Sequence, residues 1–223
     1  MTQYAICECS NPACRLRYPA GMQDNAYLRC PACHAPVTHC YQLVTQVEEQ
    51  LGADPARLRS GMIALLDNVR SVFNVGSIFR SADGAGFDRL YLCGVTPTPA
   101  NPKLAKTALG AHNAIQWEAW PNAVDLALRL QAEGCHLWAL EEGAGAEPLL
   151  NAPPPPPNTV LVVGSEVTGV DPGLLDLCER KLAIPMRGTK RSLNVATAFG
   201  IAALILASRL RPDSSEETGV RPA

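Results

Sequence analysis

Two pairs of cysteines near the start of the chain, Cys9-x4-Cys14 and Cys30-x2-Cys33, have the spacing with which two tight turns present four thiolates to one ion. Four thiolates give Zn2+ a closed tetrahedral shell, the usual structural arrangement. Farther along, three loops bring polar and glycine residues to points where strands should end. The first runs from Asn74-Val75-Gly76-Ser77 through Arg80 to Gly86-Phe87. The second is Gly164-Ser165-Glu166-Val167-Thr168-Gly169, leading to Ile184-Pro185-Met186-Arg187, and the third is Ser192-Leu193-Asn194-Val195. Ligands of open α/β sheets bind outside the carboxyl ends of the strands, so these loops are the candidate site. No Walker A loop and no Gly-x-Gly-x-x-Gly opening a helix occurs in the chain, which removes the usual phosphate cradles.

A module as short as residues 1–40 cannot build a large core, and a metal site whose formation is coupled to folding replaces one. The spacing is similar to a zinc ribbon, with Cys9, Cys14, Cys30 and Cys33 as ligands. Cys7, Cys40, His34 and His39 are each able to replace one of them. Cys30-Pro31-Ala32-Cys33 also has the form of a redox dithiol, but such pairs open a helix after a strand; here Pro36 follows and no helical pattern does. A ribbon that holds no metal stays open as a third reading.

Nineteen Lys and Arg against 21 Asp and Glu leave a net charge of −2, and 47% of the residues are hydrophobic. The apolar fraction supplies a core and excludes wholesale disorder. The charge excludes a globally basic nucleic-acid binder and leaves only local patches. The N-terminus lacks the basic and apolar regions of a signal peptide. The longest apolar stretch, Val195 to Ala207, is interrupted by Thr197 and Gly200 and falls short of the ~20 residues that cross a bilayer. The expectation is a cytoplasmic protein without membrane attachment, where thiols stay reduced and clustered cysteines bind metal.

Strand-like and helix-like segments alternate from Gly61 onward. Met62–Leu66, Leu90–Cys93, Ala114–Trp117, His136–Leu140, Thr159–Val163 and Leu182–Ile184 read as strands. Val75, Ile78, Phe79 and Ala82 recur at helical spacing before Gly86, which stops the helix. Asn122 and Gly134 bracket a second helix, Asp171-Pro172 opens a short third, and Asn194–Leu210 forms a long apolar fourth. Such alternation predicts an α/β fold, a mostly parallel sheet with helices on both faces. The chain divides on this reading into a ribbon module at 1–40, a connector at 41–60 with helix-like Leu43, Val44, Val47 and Leu51, an α/β domain at 61–211 and a disordered tail at 212–223. Pro153 to Pro157, between two core strands, read as a stiff loop.

With the three loops in this order, each at an element boundary, and with Lys106-Thr107-Ala108-Leu109-Gly110-Ala111 between the first two, the chain from Gly61 to Leu210 resembles the SpoU/TrmH family of RNA ribose 2′-O-methyltransferases, of the SPOUT superfamily. The resemblance implies a trefoil knot in the C-terminal half, a homodimer, and S-adenosylmethionine among the second and third loops. It implies a cofactor set of Gly164, Ile184 and Leu193, acting largely through backbone groups, together with Leu140, Met186 and Ser192. It also implies a catalytic Arg80 supported by Asn74, Glu166 and Asn194. Packing alone accounts for Ile184 and Leu193, and capping alone for Asn194; such roles coexist with backbone contacts. The family arginine is described as a general base, yet guanidinium keeps its proton far above working pH. Arg80 therefore either loses its proton transiently beside a substrate phosphate or stays charged and stabilises the developing alkoxide.

Between Arg180 and Pro212 no acid occurs. Arg187, Lys190 and Arg191, beside the presumed cofactor, are the candidate contacts to RNA phosphates, with tRNA or rRNA as substrate. Arg209 and Arg211 read equally as solvated cations at a helix end. Arg15, Arg17 and Arg29 on the ribbon offer a second RNA contact, against a purely structural ribbon. Two rival functions stay open: a non-catalytic RNA-binding or assembly protein of the same fold, and an enzyme methylating a base nitrogen.

Overall fold

The computed structural model describes residues 3–21, 29–44 and 60–210. The chain forms two compact units, Met1–Asp54 and Pro55–Ala223.

In the first unit, β1 (Gln3–Cys9) is the central strand of an antiparallel sheet, flanked by β2 (Arg17–Gly21) and β3 (Val37–Val44). The helix-like spacing at Tyr41–Val44 is overruled there, because Gln3 to Ile6 pair with Val44 to Tyr41 and the backbone takes the ladder on offer. The rest of the expected connector up to Arg59, and the expected tail, lie outside the described residues.

The second unit has a sheet of seven strands among the described residues, in the order β6-β5-β4-β9-β7-β10-β8, with every pairing parallel. The strands are β4 (Ile63–Asp67), β5 (Arg89–Cys93), β6 (Gln116–Trp120), β7 (His136–Leu140), β8 (Glu147–Pro148), β9 (Thr159–Val163) and β10 (Arg180–Ala183). The helices are α1 (Val72–Gly84), α2 (Pro102–Ala108), α3 (Ala111–Ala114), α4 (Ala123–Ala132), α5 (Pro172–Leu177) and α6 (Val195–Ala207). Alternate residues of the buried strands face opposite ways, as the two-residue period of a strand requires. Leu66, Leu92 and Val163 join α1, α2 and α6 in one core, while Leu65, Tyr91 and Val162 join α4 and α5 in the other. Helices thus cover both faces, as the alternation predicts.

Capping residues mark the helix starts. Asn122 accepts from the backbone N–H of Val124 and Asp125, Asp171 from Gly173, and Asn194 from Ala196 and Thr197. The third strand differs most from expectation. Ala114 ends a short helix, and β6 begins at Gln116. As an edge strand with Gln116, Trp117, Glu118 and Ala119 exposed, β6 lacks the continuous apolar run that marks its buried neighbours. Arg209 is not a free cation, since its guanidinium donates to the carbonyls of Leu149, Leu150 and Ala152 and ties the end of α6 to the segment leading into the prolines.

Candidate active site

The second loop is shaped by a close backbone approach. A Cβ on Gly164 would lie 2.2 Å from the carbonyl carbon of Gly169 and from the Val170 nitrogen, so only glycine fits. Ser165 and Gly169 exchange both backbone hydrogen bonds, at 3.0 and 2.9 Å, and close the loop on itself. Gly169 holds φ at 72°, in the left-handed region.

From this loop Glu166 reaches the start of α1. Its Oε2 accepts from the Arg70 N–H at 3.0 Å, and its Oε1 from the Ser71 N–H at 3.2 Å and from Asn74 Nδ2 at 2.7 Å. Burial alone would raise the Glu166 pKa, but the Arg70 and Ser71 N–H groups and the Asn74 amide outweigh it and hold the carboxyl below its ordinary value. The positive end of the helix dipole acts in the same direction.

Asn194 completes the chain. Its Oδ1 accepts from Ala196 N at 2.9 Å and Thr197 N at 3.3 Å as the cap of α6. That leaves Nδ2 to donate, and it meets Asn74 Oδ1 at 3.0 Å. Asn74 must then turn its own Nδ2 toward Glu166. The three polar residues singled out from the sequence form one directional relay of hydrogen bonds. Among the described residues, each hydrogen-bond partner of the Glu166 carboxylate is a donor, so its oxygens are held as acceptors.

A cavity of about 440 Å³ lies beside this relay, at the carboxyl ends of β7, β9 and β10. Its lining contains Leu140, Gly164, Ile184, Met186, Ser192 and Leu193, all six cofactor candidates, together with Glu166 and Asn194. The charged lining residues are Glu141, Glu142 and Glu166; each is acidic. Asn74 does not line the cavity but braces two residues that do. Arg80 is outside the lining too, exposed on α1. Six residues separate it from Asn74, which is about 240° around a helix and ~9 Å along it. Arg187, Lys190 and Arg191 are exposed on the stretch between β10 and α6.

Two carboxylates that hold the second loop in place escaped the sequence reading. Asp67, at the end of β4 and only 2% exposed, accepts from the Asp171 N–H at 2.9 Å and from Asn68 Nδ2 at 2.7 Å. Its pKa is raised by burial, against the Asp171 N–H, which lowers it. Glu141 accepts from the Val170 N–H at 2.9 Å. Both stand at strand ends, the one signal by which they were findable.

In the N-terminal unit the Sγ atoms of Cys9, Cys14, Cys30 and Cys33 lie within 4.8 Å of one another. Cys9–Cys33 and Cys14–Cys30 are 3.4 and 3.7 Å apart. A tetrahedron of ~2.3 Å Zn–S bonds has edges of ~3.8 Å, so the spacing suits that ion. Both turns close alike, Arg15 N–H on Asn11 O and His34 N–H on Cys30 O, with Arg15 and His34 at positive φ of 48° and 58°.

Residues 61–204 match the SpoU rRNA Methylase family. The chain is 35% identical over 153 residues to the 23S rRNA (guanosine(2553)-2′-O)-methyltransferase RlmP of Bacillus subtilis, an alignment covering 67% of this chain and 57% of that protein. It is 32% identical over 143 residues to the tRNA (guanosine(18)-2′-O)-methyltransferase of Aquifex aeolicus, covering 63% of this chain and 65% of the relative. The chain thus spans less than two thirds of the length of either relative. Among solved structures, the A. aeolicus TrmH/SpoU tRNA modifying enzyme superposes with a TM-score of 0.61 at 29% identity, over 68% of this chain and 76% of that one. The AdoMet-bound rRNA methyltransferase of Sinorhizobium meliloti gives 0.63 at 27% identity, over 68% and 57%. A parallel sheet with helices on both faces, the three loops in order and the family match over most of the α/β unit lead to one conclusion: the chain belongs to the SpoU rRNA methylase family.

Proposed function

We propose that this protein is an S-adenosylmethionine-dependent methyltransferase acting on a ribose 2′-hydroxyl of tRNA or rRNA. The observation that carries the reading is the acid-lined cavity next to the Glu166–Asn74–Asn194 relay. Its volume suits a nucleoside-sized ligand, and three carboxylates with no cation among the charged lining residues suit a ligand that is itself a cation. When bound, S-adenosylmethionine supplies a methyl group activated by a positively charged sulfur.

The chain's own residues do the rest. Gly164, Ile184 and Leu193 offer backbone donors and acceptors, with Leu140, Met186 and Ser192 closing the lining. The relay keeps Glu166 and Asn194 in register with the cavity wall, a proximity effect on the reaction. Arg187, Lys190 and Arg191 grip RNA phosphates. Arg80 acts on the 2′-hydroxyl electrostatically, stabilising the developing alkoxide while the hydroxyl proton passes to solvent. Because Arg80 lies off the cavity of its own chain, the homodimer belongs to this reading. A second copy docks on the apolar face of α6, where Ile201 and Leu204 are exposed, and delivers its arginine. The knotted threading that the resemblance implies and a cytoplasmic location, where tRNA and rRNA are found, complete it. In the N-terminal unit the four cysteines hold a structural Zn2+, a role their mutual distances support.

Two measurements test this. Calorimetric titration with S-adenosylmethionine should show one site per chain; no binding at millimolar ligand favours a non-catalytic RNA-binding role. Mass spectrometry of RNA nucleosides from cells with and without the gene should show loss of one 2′-O-methylated residue, whereas loss of a base-methylated one rejects the ribose assignment.

A further inference from the structure

We infer that Glu141 is a cofactor-binding residue: one carboxylate oxygen fastens the Gly164–Gly169 loop, and the other receives a ribose hydroxyl of the cofactor's nucleoside. The inference rests on the cofactor reading above and adds to it a side chain that no motif of the sequence marks.

Glu141 follows β7 directly, and its own N–H donates to the Leu182 carbonyl at 2.9 Å, so its backbone is fixed in the β7–β10 ladder. The side chain turns toward β9. Oε2 accepts from the Val170 N–H at 2.9 Å. A Cβ on Gly169 would lie 2.6 Å from Oε2 and 3.1 Å from Oε1, so the carboxylate occupies the space beside the Gly169 backbone that a side chain there would need. Glutamate lines the cavity at this point. No hydrogen bond to Oε1 and no cation beside Glu141 occurs among the described residues, although an ionised carboxylate has about four acceptor positions to fill.

The other two acidic lining residues differ. Glu166 is occupied by three N–H donors, and Glu142 is exposed. Glu141 alone combines a held geometry with an unspent acceptor. The chemistry that fills such an acceptor is a hydroxyl. In doubly wound α/β sheets an acidic residue near a strand end takes a ribose hydroxyl of the bound nucleotide, and Glu141 likewise stands at the end of a strand, β7, that is paired with β9. It would join cofactor and loop through one carboxylate, so that filling the cavity also tightens the segment carrying Glu166.

Glu141→Gln in the full chain is the decisive variant. Its amide keeps an oxygen for Val170 N–H and presents NH2 where the second acceptor was, so a role limited to the loop is preserved. Titrations would use S-adenosylmethionine, 5′-methylthioadenosine and the 2′,3′-dideoxy form of the latter. The expected result is a Kd about tenfold higher for the first two ligands, with an unchanged unfolding midpoint. The penalty for removing the hydroxyls should be larger in the wild type than in the variant, whose NH2 can still donate to a hydroxyl oxygen but cannot accept from it. Wild-type affinity in Glu141→Gln, or an equal hydroxyl penalty in both proteins, overturns the inference while leaving the cofactor reading intact. Failure of the wild type to bind S-adenosylmethionine rejects that reading and this inference with it.

Discussion

Asn194 donates its side-chain amide to Asn74 at 3.0 Å across 120 positions of sequence, joining the first turns of α6 and α1. One residue therefore does two things, capping a helix with its oxygen and orienting a neighbour with its nitrogen.

Asn194→Asp separates those tasks. Aspartate caps as well as asparagine, so stability should change by less than ~1 kcal/mol, whereas Asn194→Ala should lose about 1 kcal/mol. The aspartate would face Asn74 Oδ1 with a second acceptor and push the conflict onto Glu166. Methyl transfer by Asn194→Asp should fall at least about tenfold. Urea unfolding and turnover measured side by side check this; full turnover in the aspartate variant would show that the relay does not organise the site.

Glu166→Gln should cost about 1–2 kcal/mol, less than a fully buried charged hydrogen-bond set because the group is mostly exposed. The pH dependence follows from its lowered pKa. Its contribution is fully present above the unfolded value near ~4.3 and is lost as pH falls through the lower folded value. The stability gap between wild type and Glu166→Gln should be constant between about pH 5 and 7 and close below about pH 4. A gap that persists in acid would assign the loss to packing.

Arg80→Ala should leave the Kd for S-adenosylmethionine within about twofold of wild type, since the residue does not line the cavity. Turnover should fall about 10²–10³-fold, the scale of losing one group that stabilises developing charge. Unchanged turnover would remove Arg80 from the mechanism.

Alanine at Arg187, Lys190 or Arg191 should weaken RNA binding uniformly across sequences. Each should lower the slope of log K against log salt by about one, with cofactor affinity unaffected. Filter binding at several salt concentrations reads the slope directly, and slopes equal to wild type would place the RNA elsewhere.

Purified protein should carry one zinc per chain, measurable by elemental analysis. Chelation should abolish hydrogen-exchange protection in β1, β2 and β3, because binding and folding are coupled in small metal modules. Protection in the seven-stranded sheet should stay as it was. Cys33→Ser should lower the zinc content, and metal-free protein with intact protection of β1–β3 would reject the structural role.

Much of this molecule is local and was legible from local signals. Buried strands such as Thr159–Val163 carry unbroken apolar runs, and Asn122, Asp171 and Asn194 announce the helices they cap. Cysteine pairs show their turns by spacing alone. The edge strand β6 and the Tyr41–Val44 end of β3 were not legible, because partner strands, not their own residue pattern, hold them extended. What the sequence determined by itself was the set of residue types and the order of the loops, since those depend on turn geometry and periodicity within a few residues. Only the tertiary structure decided that Asn74, Glu166 and Asn194 share hydrogen bonds, that Asp67 and Glu141 fasten the second loop, and that Arg80 is exposed on α1 outside the lining of the cavity. These relationships join residues far apart in the chain, and a hydrogen bond is made at about 3 Å between atoms whichever part of the chain supplies them.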